Sequence, residues 1–277
     1  MLLYEELLEL ISWGIPRQLD KEKERIQKHK KIQNAFYGGH YVGAPGRDIK
    51  VLLPFLNYIQ LQEIANELSN QYPLISKGNH IGYSACIRYI YGMEDSRLGL
   101  LQSKEYCKTK KEKGLDWEVA DKLIKLLENN FIKKNNHYGL CILYEMKAHR
   151  LGDKFIISGN KKFAKKMEQL YVNSQKKSQL CNSYKHKFSP YFWAAKYFEQ
   201  FKMEKKMLYY ANLCITAANE TPAAKESYAN KIMSCFLMFK KTLDKKQWYN
   251  FYKQWKRKAK NRAIKLGISK ALHKRST

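Results

Sequence analysis

Residues 116–130 have the sequence DWEVADKLIKLLENN, in which apolar side chains return after every helical turn. A spacing of three to four residues places side chains on one face of an α-helix, whereas a half-buried strand would show strict alternation. The residues that this spacing directs inward are Val119, Leu123, Ile124, Leu126 and Leu127. The stretch therefore predicts a strongly amphipathic helix, and it makes an all-α fold the expected class.

The same periodicity is present in the N-terminal half. Between Ile49 and Asn70 it predicts a long helix, and helices of opposite direction are expected at about 80–91 and 94–108. The polar and charged stretch from Lys108 to Gly114 is the best candidate for a boundary. We therefore expect a helical N-terminal module at 1–113 and a second helical region at 114–277. The apolar positions of the long helix are Leu53, Leu56, Ile59, Leu61, Ile64, Ala65 and Leu68.

A pattern of small and aromatic residues follows in the second region. It comprises Leu151-Gly152, Phe155, Gly159 and Ala164. The stretch from about 147 to 175 resembles a tetratricopeptide repeat, a family that places Leu-Gly and an aromatic residue in a first helix, Gly in a turn and Ala in a second helix. The resemblance implies closely crossing helix pairs and a concave surface that binds peptide or nucleic acid. The chain departs from the family in its irregular period and in lacking the proline that ends each unit.

Two further helix pairs are expected after this one. The last pair is predicted at about 223–241 and 244–265, and the pair before it fits a more degenerate copy of the repeat after an insertion of nine residues. The predicted architecture is thus a solenoid-like stack of antiparallel helix pairs. The positions that fit the degenerate copy are Tyr191, Ala194, Ala195, Phe198, Met207, Ala211 and Cys214.

The chain of 277 residues carries a formal net charge of +27 and has a pI near 9.7. Such an excess repels itself on compaction, so a partner of opposite sign is expected. Nucleic acid, an anionic membrane surface and an acidic protein all meet this requirement, and nucleic acid is favoured because each neutralised phosphate releases counterions. With 44% hydrophobic residues, the chain also has enough apolar material for a folded core.

The positive charge is densest at the C-terminal end, where residues 240–277 contain fourteen Lys and Arg against one acid, Asp244. Within this segment Trp248, Tyr252, Trp255 and Ala259 recur at helical spacing and predict an apolar stripe that continues to Ala263. We expect the cations to project away from the stripe and to contact phosphates of RNA or DNA. The predicted contact residues are Lys246, Lys253, Lys256, Arg257, Lys260, Arg262, Lys265, Lys270, Lys274 and Arg275.

A glycine-rich segment at 37–48 is a second candidate site. Glycines allow backbone N–H groups to approach an anion, and His40 or Arg47 would add charge or a proton. Because no Gly-Lys-Ser/Thr follows and no GxGxxG is present, the segment is not a nucleotide-binding loop of either common type. An interhelical loop is the simpler interpretation.

A third candidate is Glu145-x-Lys147 at the end of an apolar run. This arrangement resembles the active-site strand of restriction-endonuclease-like nucleases, in which the carboxylate binds a divalent metal and the lysine orients the attacking water. Asp116 or Asp121 would supply the upstream acid, and residues 153–157 a neighbouring strand. The hypothesis requires a strand at 140–145. A solvated Glu–Lys pair on a helix is the alternative.

No other pattern points to chemistry. The six cysteines contain no CxxC pair, which favours buried thiols in a reducing compartment over zinc or disulfides, and no cofactor is implied. The acidic N-terminus and the lack of a long apolar run favour a cytoplasmic protein without a membrane span. The sequence therefore favours a non-enzymatic protein that binds RNA or DNA, with a helical adaptor for an acidic partner protein as the alternative.

Overall fold

The computed structural model describes residues 55–71, 117–181, 187–221 and 228–273. Within these ranges the chain forms nine α-helices and no strand, and most contacts between helices join antiparallel neighbours in sequence, which confirms the all-α prediction. The helices are α1 (Tyr58–Gln71), α2 (Trp117–Lys133), α3 (His137–Ser158), α4 (Lys161–Gln179), α5 (Ser189–Gln200), α6 (Glu204–Asn219), α7 (Ala229–Thr242), α8 (Lys245–Lys258) and α9 (Arg262–His273).

The contacts divide the chain into two compact units, unit 1 (Met1–Met146) and unit 2 (Lys147–Thr277). The division falls within α3, whereas the predicted boundary at 113/114 lies outside the described residues. None of the helices in the described ranges combines the length and the apolar character needed to cross a bilayer.

In unit 1, α1 packs against α2 along the predicted apolar stripes. Ile64 and Leu68 of α1 are buried, as are Leu123 and Leu127 of α2. The prediction was wrong for Ile59, which is 66% exposed because it lies beside the stripe at the start of the helix. Polar contacts border the apolar ones: the Asn130 side-chain amide donates to Asn66 Oδ1 at 2.9 Å, and Lys134 Nζ donates to Ser69 Oγ at 2.6 Å.

In unit 2, the predicted turn around Gly159 is confirmed. Gly159 has φ of +69°, a left-handed conformation that glycine adopts without strain, and it follows the last residue of α3. Asn160 then caps α4, since its side-chain oxygen accepts from the Lys162 N–H at 3.0 Å. Ala164 is buried, and Gly152 lies against the Tyr197 ring so closely that a Cβ would be 2.3 Å from it.

The second predicted pair corresponds to α5 and α6, and its apolar positions form much of the core of unit 2. Ala194, Phe198, Ala211 and Cys214 are fully buried. Phe198 stacks on Tyr210 at a ring-centroid distance of 5.5 Å. The small residues allow the two helices to approach while the aromatic rings fill the space beside them.

The prediction of one helix over 244–265 was wrong. Helix α8 ends at Lys258, the chain is extended at Ala259, and α9 starts at Arg262. Asn261 begins the new helix, because its side-chain oxygen accepts from the Ile264 N–H at 3.0 Å. Ala259 and Ala263 therefore belong to two different helices.

The thiols of Cys214 and Cys235 lie together in the core between α6 and α7. A hydrogen bond with Cys214 and burial both raise the pKa of the Cys235 thiol well above its ordinary value. Because the thiolate is the reactive form, we expect iodoacetamide at about pH 8 to modify the half-buried Cys181 while Cys235 stays unmodified until the protein unfolds. Site-resolved mass spectrometry would check this, and equal rates at the two thiols would contradict it.

Candidate functional site

Asp244, the one acid of residues 240–277, is the N-cap that precedes α8. The Asp244 carboxylate accepts from the Gln247 N–H at 2.8 Å, and the Gln247 side chain accepts from the Asp244 N–H at 3.4 Å. This reciprocal cap satisfies N–H groups that the first helical turn leaves without helical partners. The single carboxylate of the segment thus stands at the start of α8, ahead of the lysines and arginines.

The aromatic residues of α8 anchor the helix to α7, in agreement with the predicted stripe. Trp255 is buried and meets the Phe236 ring edge to face at a centroid distance of 6.2 Å. Phe251, which the predicted stripe omitted, stacks on Phe239 at 4.1 Å. Trp248 is half-buried against the same core. The indoles of Trp248 and Trp255 therefore serve mainly in packing.

Eight of the ten predicted contact residues lie in the described ranges, and all eight are exposed. At 100° per residue, three of those on α8 project from the side of the helix opposite Trp255. We call the eight residues the cationic surface; they are Lys246, Lys253, Lys256, Arg257, Lys260, Arg262, Lys265 and Lys270. Lys274 and Arg275 lie outside the described residues.

Some cations at this end of the chain also have structural contacts. Lys240 Nζ donates to the Ala271 carbonyl oxygen at 3.2 Å, so it satisfies the last turn of α9. Lys270 Nζ donates to Asn230 Oδ1 at 2.9 Å, and Lys253 Nζ lies 4.9 Å from the centre of the Tyr249 ring. Lys240 is half-buried and is not part of the cationic surface.

Two asparagines hold the break between α8 and α9 against the end of α6. The Asn219 side chain donates to the Lys258 carbonyl oxygen at 2.9 Å and accepts from the Lys260 N–H at 2.8 Å. The Asn261 side-chain amide donates to the Ala218 carbonyl oxygen at 2.8 Å. These bonds pair backbone groups that neither helix can satisfy, so they fix the direction in which α9 leaves α8.

Helix α9 packs closely on α7. Ile264, Ile268 and Ala271 are buried, and Gly267 approaches α7 so closely that a Cβ would lie 2.6 Å from Ile232 Cγ2. The buried side of α9 faces α7. Its other side is exposed and carries Lys265, Ser269 and Leu272, which recur one helical turn apart.

A cleft of about 420 Å³ lies between α8 and α9. Apolar groups dominate its wall, and a lysine stands on each of its two sides, Lys256 from α8 and Lys265 from α9. Sequence reasoning missed this cleft because it exists only if the chain breaks after Lys258. The residues that line it are Tyr252, Lys256, Ala259, Lys265, Ile268, Ser269 and Leu272.

The strands required by the nuclease hypothesis are absent. Residues 137–158 form one helix, so neither the strand that the hypothesis requires at 140–145 nor its neighbouring strand at 153–157 is present. Glu145 is 5% exposed, and Lys147, two positions later, points to a different side of the helix. Asp121 is exposed on α2, and no group of three or more His, Cys, Asp or Glu in the described ranges could hold a metal ion.

The remaining predicted site residues, His40, Arg47 and Asp116, lie outside the described residues.

No known protein family, curated protein or solved structure matches the chain.

Sequence analysis also missed a polar network inside unit 2. The Tyr197 hydroxyl donates to Asp153 Oδ1 at 3.0 Å and lies 3.1 Å from the His149 carbonyl oxygen. The Tyr171 hydroxyl is 2.8 Å from His149 Nδ1, and the Trp193 ring packs edge to face on the imidazole at 4.8 Å. All of these polar groups are buried, so the network links α3 to α4 and α5 and provides no accessible reactive group.

Proposed function

We propose that the protein binds nucleic acid, RNA or DNA, through the cationic surface on α8 and α9, without a catalytic step. The observation that carries this proposal is the exposure of all eight described members of the predicted set. They lie on two successive helices in a segment with a single carboxylate, which caps a helix. Phosphates are the ligands that such a set of ammonium and guanidinium groups attracts most strongly.

Helix stability accounts for only part of this charge. Lys256, Arg257 and Lys258 lie in the last turn of α8, where cations interact favourably with the helix dipole. Lys245 and Lys246 lie in the first turn, where the same dipole disfavours them. Cations kept at both ends of one helix support a role in binding a polyanion.

The test is a charge-neutralised variant in which Lys246, Lys253, Arg257 and Lys260 are replaced by Gln. None of these four lines the cleft. Each phosphate contact contributes about 0.7 (single strand) to 0.9 (duplex) to the slope of log K against log salt. For four lost contacts we therefore expect the slope to fall by about 3 and the affinity to drop about 100-fold near 200 mM salt. Fluorescence anisotropy with labelled oligonucleotides of RNA and DNA measures both quantities.

The matched control removes the same charge from α4. Lys161, Lys162, Lys165 and Lys166 are all exposed there, and their replacement by Gln should leave the affinity within about threefold of the native value. Equal weakening by the two variants would show that diffuse charge causes the binding and that the cationic surface is not the site. Absence of binding by the native chain at low salt would overturn the proposed function.

The proposal extends to architecture and location. We take α3 and α4 to form a degenerate tetratricopeptide-like unit; the left-handed Gly159 between the helices and the buried Ala164 support this. A cytoplasmic location is supported by the thiols of Cys141, Cys214 and Cys235, which are buried and unbridged.

A further inference from the structure

The cleft between α8 and α9 combines an apolar wall with a cation on each side. Its wall is apolar, with Ile268 and Ala259 below and Leu272, 38% exposed, at the edge. Its two sides carry Lys256 and Lys265. A volume of about 420 Å³ falls within the range of about 300–1,000 Å³ that is typical of sites for compact ligands. A suitable ligand is therefore compact, has an apolar part, and is negatively charged on more than one side.

We propose that the cleft receives one unstacked base of a single-stranded nucleic acid, while Lys256 and Lys265 contact the phosphates on either side of it. The inference rests on the proposed function and names the form of nucleic acid that the site prefers. A base has a flat apolar face that the wall of the cleft can cover, and Tyr252 supplies an aromatic ring for contact. The Ser269 hydroxyl can donate to, or accept from, the polar edge of the base.

The position of the cleft explains how a strand reaches it. Tyr252 and Lys256 are one helical turn apart on α8, and Lys265 and Ser269 are one turn apart on α9, so each helix places a wall residue beside a cation. The cationic surface continues along both helices that bound the cleft, through Lys253 on α8 and Lys270 on α9. A backbone that follows these cations passes over the opening of the cleft.

The break at 259–261 favours a strand over a duplex. The break changes the direction of the cationic surface between α8 and α9. A duplex is stiff over the length of two short helices, whereas a single strand bends freely and can follow the change. The bases of a duplex are also paired and stacked, so none is available to enter the cleft unless it is flipped out at a cost. The duplex can therefore use the cationic surface but not the cleft.

An acidic amphipathic peptide is the competing occupant, because it has the same charge complementarity. A helical peptide that docks in the cleft carries carboxylates only on its own few turns, whereas a nucleic-acid strand carries one phosphate per nucleotide and can also contact the cations outside the cleft. The cleft is bounded by the last two turns of α8, the break and one face of α9, and Tyr252 offers an aromatic ring on which a base can stack. The observations therefore favour the base.

The test fills the cleft without changing any charge. Ser269 is exposed and lines the cleft, so Ser269→Leu occupies the space of the base and leaves every lysine in place. With a single-stranded oligonucleotide of about 20 nucleotides, we expect an affinity loss of about 10-fold, the usual effect of losing one stacked base, and an unchanged salt slope. With a duplex of the same length the affinity should stay the same.

Two further variants complete the experiment on the full chain. Asn250→Leu adds the same side chain at an exposed position of α8 that does not line the cleft, and it should behave as the native protein. Tyr252→Leu, which keeps an apolar side chain but removes the ring, should weaken single-strand binding and leave duplex binding unchanged. Circular dichroism melting of each variant confirms that the fold is retained.

The outcomes separate the two proposals. If the four-cation variant loses affinity while Ser269→Leu keeps full affinity for the single strand, the cleft proposal is wrong and the proposed function stands. If Ser269→Leu weakens single strand and duplex equally, the cleft does not select an unstacked base. If it instead abolishes binding of a Glu- and Leu-rich helical peptide and leaves single-strand binding intact, the cleft is a peptide site and the proposal is overturned.

Discussion

A Gly152→Val substitution is expected to prevent unit 2 from reaching its native packing. A Cβ at position 152 would lie 2.3–2.7 Å from three atoms of the Tyr197 ring, well inside van der Waals contact. The ring cannot move aside easily, because the Tyr197 hydroxyl is bonded to Asp153 and the ring is fully buried. We expect the free energy of unfolding to fall by about 3 kcal/mol or more.

Urea unfolding followed by circular dichroism measures this loss, and Gly159→Ala is the matched control. No atom lies within 4 Å of a Cβ at position 159, so the control tests only the positive φ of +69°, which should cost about 1 kcal/mol. Equal unfolding midpoints for the two variants would show that the close contact between Gly152 and Tyr197 costs no more free energy than the positive φ at Gly159. It would also remove the main structural reason for a glycine in the Leu-Gly pair of α3.

Asn261→Ala is expected to open the junction between α8 and α9. The substitution removes the cap of α9 and leaves the Ala218 carbonyl oxygen without its 2.8 Å donor. The Ala218 carbonyl oxygen keeps a 3.3 Å bond from the Thr221 N–H, so the loss there is one hydrogen bond, about 1 kcal/mol, in addition to about 1 kcal/mol for the cap. We therefore expect local opening to become easier by about 2 kcal/mol. Trypsin should then cleave after Lys258 or Lys260 about 30-fold faster or more, since proteolysis follows the population of the open form.

Two comparisons make the trypsin experiment specific. Asn250→Ala removes an exposed asparagine of α8 and should leave the cleavage rate unchanged. Asn261→Asp keeps the oxygen that caps α9 but loses the amide that donates to Ala218, so an intermediate rate is expected. If Asn261→Ala is cleaved no faster than the native chain, the asparagines do not hold the junction.

Local periodicity predicted those parts of the fold that depend on neighbours in sequence. The inward face of α2 was correct, because it follows from residues within one or two helical turns. The turn at Gly159 was expected from the resemblance to a tetratricopeptide repeat, and the structure has a turn there. Local spacing left the apolar run Leu140–Leu143 ambiguous, because the run is too short to show a period. A short run of apolar residues fits a buried strand and a buried helix equally well, and only the packing of α3 decides between them.

The candidate site could be predicted in composition but not in shape. The exposure of the cations follows from their spacing around Trp255, which any helical projection shows. The break after Lys258 does not follow from spacing, because Ala259 and Ala263 continue the apolar pattern. The partner that helps to stabilise the break, Asn219, is 41 residues from Lys260. The break is stabilised by contacts between residues that are distant in sequence, and the cleft forms only because the chain breaks there.

The division of contacts after Met146 limits how this chain can be dissected by protein engineering. A recombinant fragment that starts at Lys147 would lack residues 137–146 of α3, together with Asn136, whose side chain accepts from the Gly139 N–H at 2.9 Å. Its new first turn would present unsatisfied N–H groups and fray, close to the buried His149 and Asp153. Expression of the C-terminal portion therefore calls for a start at or before Asn136.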